Sequence, residues 1–318
     1  MPIIGLDKER VMLNVVAAVI HDAQGRILLA QRPVHKHQGG LWEFAGGKMD
    51  DGESAAQALV RELQEELGIT ATTYRPLLTV EHHYADKSVR LQVFRVTAFD
   101  GEAHGAEGQP IVWVKPEELA HYDFPAANVP ILKAAILPKC YYISPDPTEI
   151  GGDLCIWLEP RLRAGMWLCL RAKSLNKLDY LALAQQVAHI IEAKQAKLLL
   201  HSHADLLAQV PQAIGVHLPM TKLATWNEPI AGYVVASCHN AEELALAWQQ
   251  GADFATLSPV QATASHPEQL GMGWQRFQEH VQQAKLPVYA LGGMTTADIP
   301  QAQTRGAQGV AGIRALLG

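Results

Sequence analysis

Residues 47–69 read GKMDDGESAAQALVRELQEELGI, a glycine-rich loop followed by an acidic stretch of good helix formers. Ser54 and Gln57 have the spacing of a capping box, and Gly68 is typical of the position just past a helix end. The pattern therefore predicts a helix from about Ser54 to Leu67, directly after the loop.

Three carboxylates share one face of this predicted helix. Glu62, Glu65 and Glu66 stand three and four residues apart, so their side chains project in the same direction. Carboxylates crowded in this way repel one another unless a cation lies between them, and hard oxygen ligands suit Mg²⁺ or Mn²⁺. The pattern predicts a site for a metal ion bound to a polyphosphate, and a solvated acidic helix face is the alternative.

The fixed positions of residues 47–69 resemble the Nudix box, G-x5-E-x7-R-E-L-x-E-E-x-G-I, throughout its length. The resemblance implies an α/β/α sandwich with a mixed sheet, and hydrolysis of a nucleoside diphosphate linked to another group. It implies that Arg61 orients the three glutamates by ion pairing, that these glutamates are metal ligands or the catalytic base, and that Glu53 belongs to the same catalytic set. A Nudix fold without activity is the alternative.

The segments around the box resemble one subgroup of that family, the MutT-type 8-oxo-dGTP diphosphatases. The matching segments are Gln31-Arg32, Trp42-Glu43-Phe44-Ala45-Gly46-Gly47-Lys48, Glu107-Gly108-Gln109-Pro110 and Asp123-Phe124-Pro125-Ala126-Ala127-Asn128-Val129-Pro130. The resemblance implies two further residues of the metal site, Gly46 and Glu107. It also implies five substrate-binding residues: Arg32, Phe44, Gly47, Lys48 and Asn128.

Asn128 has a physical reason for this role. Its amide offers a hydrogen-bond donor and an acceptor together, and oxidation of guanine at C8 turns N7 from an acceptor into a donor. A polar site rejects a base that leaves its groups unpaired far better than an apolar pocket does. A turn residue before Pro130 is the alternative for Asn128 alone.

The sequence thus predicts an Mg²⁺-dependent pyrophosphohydrolase, with Mn²⁺ able to substitute, that converts 8-oxo-dGTP to 8-oxo-dGMP and pyrophosphate. The alternatives are Nudix hydrolysis of a dinucleotide, a sugar nucleotide or a thiamine pyrophosphate analogue. Because magnesium prefers oxygen ligands, four histidines are predicted to be structural or surface residues: His35, His37, His82 and His83.

The length of 318 residues predicts two domains, which we place at 1–137 and 139–318. In the first, apolar patterning predicts five strands and a closing helix near Val129 to Ile136. The predicted strands are Met12 to Ile20, Ile27 to Gln31, Leu77 to Tyr84, Val89 to Thr97 and Ile111 to Val114.

In the second domain, apolar runs rich in β-formers alternate with helical ones, which predicts a closed (β/α)8 barrel of the TIM type. The runs are Tyr141 to Ser144, Met166 to Arg171, Lys197 to Leu200, Ala213 to His217, Gly232 to Ser237, Asp253 to Ser258, Pro287 to Leu291 and Gly309 to Gly312. Such barrels typically have about 250 residues. An open doubly wound sheet is therefore the alternative for this shorter domain.

Gly292-Gly293 and Gly312-Ile313 would follow the last two strands, where barrels frequently build a phosphate site from backbone amides. A tight turn is the alternative for the glycine pair alone. Together with three further segments, these residues resemble thiamine-phosphate synthase and its thiazole-tautomerase relative. The further segments are Gly215-Val216-His217-Leu218, Gly251-Ala252-Asp253 and Ser258-Pro259-Val260.

This second resemblance has departures. His201-Ser202-His203 stands where the synthase has Asn-Asp-Arg, Lys222 where a second acidic metal ligand is expected, and His266 where a lysine is expected. Of the Gln-x-Arg-x-Lys stretch only Cys169-Leu170-Arg171-Ala172-Lys173 remains. Because both magnesium aspartates are absent, we predict a catalytically degenerate barrel that binds a phosphorylated ligand. The alternatives are thiamine-phosphate synthesis, proton transfer by His201, His203 or His266, a sensor of a thiamine-precursor phosphate, and a purely structural barrel.

The composition limits the classes of partner that the chain is expected to bind. Lys+Arg 26 against Asp+Glu 32 gives a formal net charge of −6, which argues against direct nucleic-acid binding. No apolar run approaches the roughly 20 residues of a membrane span, and Met12 to Ile20 lacks the flanks of a signal peptide. Four cysteines without metal spacing are predicted to be free buried thiols: Cys140, Cys155, Cys169 and Cys238. The prediction is a cytoplasmic enzyme with a small-molecule nucleotide substrate.

Overall fold

The computed structural model describes residues 12–34, 38–84, 88–262 and 270–317. The chain divides into two compact units, Met1–Ile136 and Leu137–Gly318. His35, His37 and His266 lie outside the described residues. Within the described ranges, no helix has the length and apolar character needed to cross a membrane.

The first unit has two three-stranded sheets, ordered β1-β5-β4 and β3-β2-β6. The β1–β5 pair is parallel and the β5–β4 pair antiparallel, so the predicted mixed sheet is confirmed. The strands are β1 (Met12–Ile20), β2 (Ile27–Gln31), β3 (Trp42–Glu43), β4 (Thr70–His83), β5 (Ser88–Asp100) and β6 (Ile111–Val114), and the helices are α1 (Ala55–Leu67) and α2 (Val129–Ala135).

Three of these strands differ from the prediction. Strand β5 extends to Asp100, three residues beyond the predicted end at Thr97. Strand β4 begins at Thr70 rather than Leu77, and its register with β5 shifts between Pro76 and Leu78. Proline has no backbone N–H to donate, so a bulge there lets the strand continue through it. Strand β3 was missed because two residues are too few to show a period.

Helix α1 confirms the predicted capping box. Ser54 Oγ accepts from the Gln57 amide at 3.3 Å, and Gln57 Oε1 accepts from the Ser54 amide at 3.0 Å. Gly68 ends the helix with a left-handed φ of 69°. Packing in the core fixes the orientation of the helix and therefore of its acidic face. The residues of the buried apolar face are Ala58, Leu59, Leu63 and Leu67.

The second unit is a closed parallel barrel, so the open-sheet alternative is wrong. All eight predicted strands are present: β7 (Cys140–Ile143), β8 (Trp167–Leu170), β9 (Lys197–His201), β10 (Ala213–Pro219), β11 (Tyr233–Cys238), β12 (Phe254–Leu257), β13 (Val288–Leu291) and β14 (Gly309–Gly312). The helices are α3 (Leu154–Leu158), α4 (Lys177–Ala193), α5 (Met220–Leu223), α6 (Ala241–Gln249), α7 (Gly273–Val281), α8 (Ile299–Thr304) and α9 (Arg314–Leu317). Several of them have only one or two turns, which explains the short chain.

Aromatic side chains fill the barrel. The rings of Tyr141, Trp167, Phe254 and Tyr289 meet at centroid distances from 5.3 to 6.2 Å. Beside them, the Tyr141 hydroxyl lies 3.1 Å from Nδ1 of His217. The interior is therefore a packed core rather than a pore, as is usual for this architecture.

The four cysteines are free thiols, as predicted. Cys169 and Cys238 are buried, but Cys140 and Cys155 are only half-buried. The prediction of burial is wrong for these two because Cys155 lies in the first turn of the short helix α3 and Cys140 begins strand β7.

Candidate active site and barrel mouth

Arg61 gathers three carboxylates around one guanidinium. Its Nε and Nη2 donate to Oε1 and Oε2 of Glu53 at 3.0 and 2.9 Å. Its Nη1 donates to Glu62 at 2.9 Å and to Glu65 at 3.1 Å. The hydrogen bonds from Arg61 lower the pKa of Glu53, which keeps that carboxylate ionised. Arg61, the predicted orienting residue, thus contacts both the loop segment that carries Glu53 and the acidic face of α1.

The two glycines of the loop lie close to neighbouring segments. A Cβ on Gly46, whose φ is 147°, would lie 2.1 Å from the carbonyl oxygen of Val16 in β1. A Cβ on Gly47 would lie 2.2 Å from Oε2 of Glu62. The loop therefore passes between β1 and the acidic face of α1, and the backbone contact at Gly46 leaves room there only for glycine. Lys48, the third predicted residue here, has an exposed side chain.

Glu66 is the carboxylate most affected by its surroundings. Burial, and then the charges of Glu43, Glu62 and Glu107, raise its pKa to about 7, while a 3.0 Å hydrogen bond from the Gly46 amide opposes the rise. Burial also raises the pKa of Glu62. These carboxylates are partly desolvated and lie close enough for their charges to interact, so a hard divalent cation fits the donor set.

The carboxylates do not converge on one point. In the described parts of the chain, no three His, Cys, Asp or Glu side chains form a ready-made metal centre. Glu62 and Glu65 turn toward Arg61, and Glu66 turns toward the Gly46 amide. Mutual repulsion favours this arrangement whenever no cation offsets it.

Gln109 is a residue whose role the sequence reasoning missed. Its Nε2 donates to the carbonyl oxygen of Glu66 at 2.8 Å, and its Oε1 accepts from the Glu107 amide at 2.9 Å. The Ala106 amide donates to the same carbonyl at 2.9 Å. The loop that carries Glu107 is thereby attached to the end of α1. A glutamine between glycine and proline in a polar turn was the available signal.

The predicted substrate residues lie on two connected segments. Phe44, which is buried, stacks on Phe124 with a centroid distance of 5.7 Å and an interplanar angle of 23°. Arg32 forms an ion pair with Glu43. Asn128 is 7% exposed, and no hydrogen bond within the described residues engages its amide. That amide is available to a ligand.

The predicted barrel phosphate residues also come together. Gly292 and Gly293 follow β13 with φ values of 103° and 72°, and the end of β14, with Gly312 and then Ile313, lies beside them. A Cβ on Gly292 would lie 2.9 Å from Cα of Pro259. Close packing of a neighbouring loop therefore accounts for that glycine.

Comparisons with known proteins divide the chain in the same way. A family model described as NUDIX domain matches residues 16–134, and one described as Thiamine monophosphate synthase matches residues 140–316. The CTP pyrophosphohydrolase of Escherichia coli (strain K12) is 46% identical over 123 residues, which is 39% of this chain and 90% of that protein. The 8-oxo-dGTP diphosphatase of Proteus vulgaris is 44% identical over 103 residues, 32% of this chain and 90% of that protein.

A provisionally named thiamine-phosphate synthase of Aquifex aeolicus (strain VF5) is 35% identical over 185 residues, 57% of this chain and 98% of that protein. The fold and site define a Nudix hydrolase, an enzyme that acts on phosphoric anhydrides, joined to a parallel barrel. The chain belongs to the Nudix family in its first unit and to the thiamine monophosphate synthase family in its second.

The raised pKa of Glu66 predicts how pH changes the stability of the metal-free protein. Between its ordinary value of 4.5 and about 7, the folded state binds more protons than the unfolded state, so stability falls as pH rises. Glu66→Gln should remove this loss, and the variant should gain stability relative to the parent as pH increases from 5 to 8. Chemical denaturation in EDTA measures the difference. The exposed Glu117→Gln serves as control, and equal gains in both variants would contradict the prediction.

Removal of the Gln109 amide should impair catalysis without unfolding the protein. Gln109→Ala frees the loop that carries Glu107, so kcat/KM should fall by about tenfold or more, as is typical when a partner of a metal ligand is lost. Gln64→Ala is the matched control, because Gln64 is an exposed α1 residue bonded to Thr70. Equal kcat/KM in the two variants at saturating Mg²⁺ would contradict a positioning role.

Proposed function

We propose that the first unit hydrolyses a nucleoside triphosphate to the monophosphate and pyrophosphate in the presence of Mg²⁺, with 8-oxo-dGTP as the preferred substrate. The observation that carries the proposal is the crowding of half-buried Glu62 and Glu66 against the Gly46-Gly47 loop. Glu66, whose pKa is raised to about 7, destabilises the folded protein when it is ionised, unless a bound cation and substrate stabilise its charge.

The residues have separable parts in the proposed reaction. Glu62, Glu65, Glu66 and Glu107 would hold the divalent ion, which screens the phosphate charge and activates water when bound. Arg61 keeps Glu53, Glu62 and Glu65 at fixed positions through four hydrogen bonds. The glycines at 46 and 47 let the chain approach the phosphates closely. Catalysis then rests on positioning and on charge stabilisation.

Base recognition is assigned to Phe44 and Asn128. The Phe44–Phe124 stack offers an apolar wall, and the Asn128 amide offers a donor and an acceptor. The oxygen of that amide can accept from the N7–H of the oxidised base, whereas it repels the bare N7 of normal guanine. A second candidate substrate is CTP, because the relative with 46% identity is named for it.

For the second unit, the proposed function is binding of a phosphorylated ligand rather than synthesis of thiamine phosphate. The chain has neither acidic residue that the synthase resemblance requires, since His201-Ser202-His203 and Lys222 stand in their place. The free thiols support a cytoplasmic location for the whole chain.

Glu62→Gln should lower turnover of the preferred nucleotide by roughly two orders of magnitude or more, because it removes a charge at the centre of the site while keeping its shape. Pyrophosphate release by the full-length protein with Mg²⁺ measures this effect. Glu117→Gln, the same change on an exposed residue, should retain the parent rate. Near-normal turnover by the Glu62 variant would refute this assignment of the site.

Asn128→Ala should reduce discrimination between 8-oxo-dGTP and dGTP. The change removes the side-chain oxygen that would accept from the N7–H of the oxidised base, so the ratio of the two kcat/KM values should fall by about tenfold or more. The panel also contains CTP and thiamine pyrophosphate. An unchanged ratio would exclude Asn128 as the reader of the base, and a parent enzyme that prefers CTP would replace the proposed substrate.

A further inference from the structure

Three consecutive strands of the barrel end beside basic side chains. Arg171 and Lys173 follow β8, His203 follows β9, and Lys222 lies in α5 directly after β10. Because the carboxyl ends of parallel barrel strands meet at one mouth, these groups surround the same opening.

The electrostatic couplings agree with this placement. Burial, and after it the charge of Lys173, lowers the pKa of His217 to about 3. Burial, then His217, Lys173 and Arg171, lower the pKa of His201 to about 2. Both imidazoles are therefore neutral at pH 7, and nearby cations make the electrostatic potential around them positive.

Lys222 stands in the sequence where the resemblance expects an acidic metal ligand, and its side chain reaches the loop that follows β9. Its Nζ donates to the carbonyl oxygen of Ser202 at 2.9 Å, across the loops that follow β9 and β10. The loop after β9 presents His201 and His203, which offer nitrogen, where the resemblance expects an aspartate. An ammonium and neutral imidazoles do not fit Mg²⁺, which requires oxygen ligands.

Nearby carboxylates are already engaged. Both oxygens of Asp146 accept hydrogen bonds, from Ser174 and Thr148. Glu149 pairs with Arg171 and Arg314, each at 3.3 Å. Asp205 forms an ion pair with Lys177.

The two lysines of the mouth have no such partner. Within the described residues, neither Lys173 nor Lys222 has a carboxylate within ion-pair distance. Burial, and next the charge of Arg171, lowers the pKa of Lys173. An anion bound beside Lys173 and Arg171 would offset this repulsion, and Lys222 follows a strand that ends at the same mouth.

We infer that the barrel mouth binds a phosphate or diphosphate group directly through Lys173 and Lys222, with Arg171 beside them, and without a divalent metal ion. The lysine ammonium groups supply the positive charge that a bridging cation would otherwise provide. The inference rests on the proposed phosphorylated ligand and specifies how the chain recognises it.

Metal dependence tests the inference. Binding of inorganic pyrophosphate to the full-length protein is measured by titration calorimetry in EDTA and again in Mg²⁺. EDTA removes divalent cations, and without a cation the carboxylates of the first unit repel an anion. Pyrophosphate binding in EDTA is therefore attributed to the barrel mouth. We expect binding in EDTA that weakens with ionic strength, as for any exposed charged site.

Variants place the binding at the mouth. Lys173→Ala and Lys222→Ala should each weaken pyrophosphate binding in EDTA by about tenfold or more. Lys222→Asp should abolish it, and far-UV circular dichroism verifies that each variant is folded. Lys194→Ala is the matched control, because Lys194 ends α4 at the opposite end of the barrel, just before β9 begins.

The outcomes separate this inference from the function on which it rests. Binding that requires Mg²⁺ and is lost in Lys173→Ala would overturn the metal-free mode but keep a phosphorylated ligand in the barrel. An absence of binding in both conditions would overturn both. Binding in EDTA that none of the mouth variants alters would overturn the assignment of the site to Lys173 and Lys222.

Discussion

The ion-pair cluster around Arg61 is the interaction on which the first unit depends. A helix that presents Glu62, Glu65 and Glu66 on one face is self-repulsive, and Arg61 on the same helix offsets part of that repulsion. Its bidentate bond to Glu53 also joins the helix to the preceding loop. One guanidinium thus stabilises the acidic face and fixes the two segments of the box, which a lysine with its single ammonium could not do.

Arg61 offsets the negative charge of some of these glutamates more than that of others, and this difference determines where a cation can bind. Arg61 contacts Glu62 and Glu65, whereas half-buried Glu66 accepts a hydrogen bond from the Gly46 backbone amide. The residual negative charge is therefore concentrated at the glycine loop, where a polyphosphate with its cation would arrive. If the cluster were fully neutralised within the protein, the carboxylates would have little affinity left for a metal ion.

Local patterns predicted most of this architecture, and contacts between distant segments account for what they missed. The limits of α1 follow from Ser54, Gln57 and Gly68, and the barrel strands follow from repeated apolar runs, because these signals lie within one element. The link from Gln109 to Glu66 joins residues that are 43 positions apart, and no period reveals it. The bulge at Pro76 likewise depends on the partner strand, since proline alone predicts a strand end.

The net charge of the whole chain likewise fails to predict the local charge at each site. A value of −6 correctly describes an acidic protein, but it averages over two sites of opposite character. Carboxylates gather on α1 in the first unit, whereas Lys173 and Lys222 both follow strands that end at the barrel mouth. Ligand choice depends on these local fields, which decay within about 10 Å in salt solution. A chain can therefore be acidic overall and still select anions in two ways, through a metal ion in one unit and through its own ammonium groups in the other.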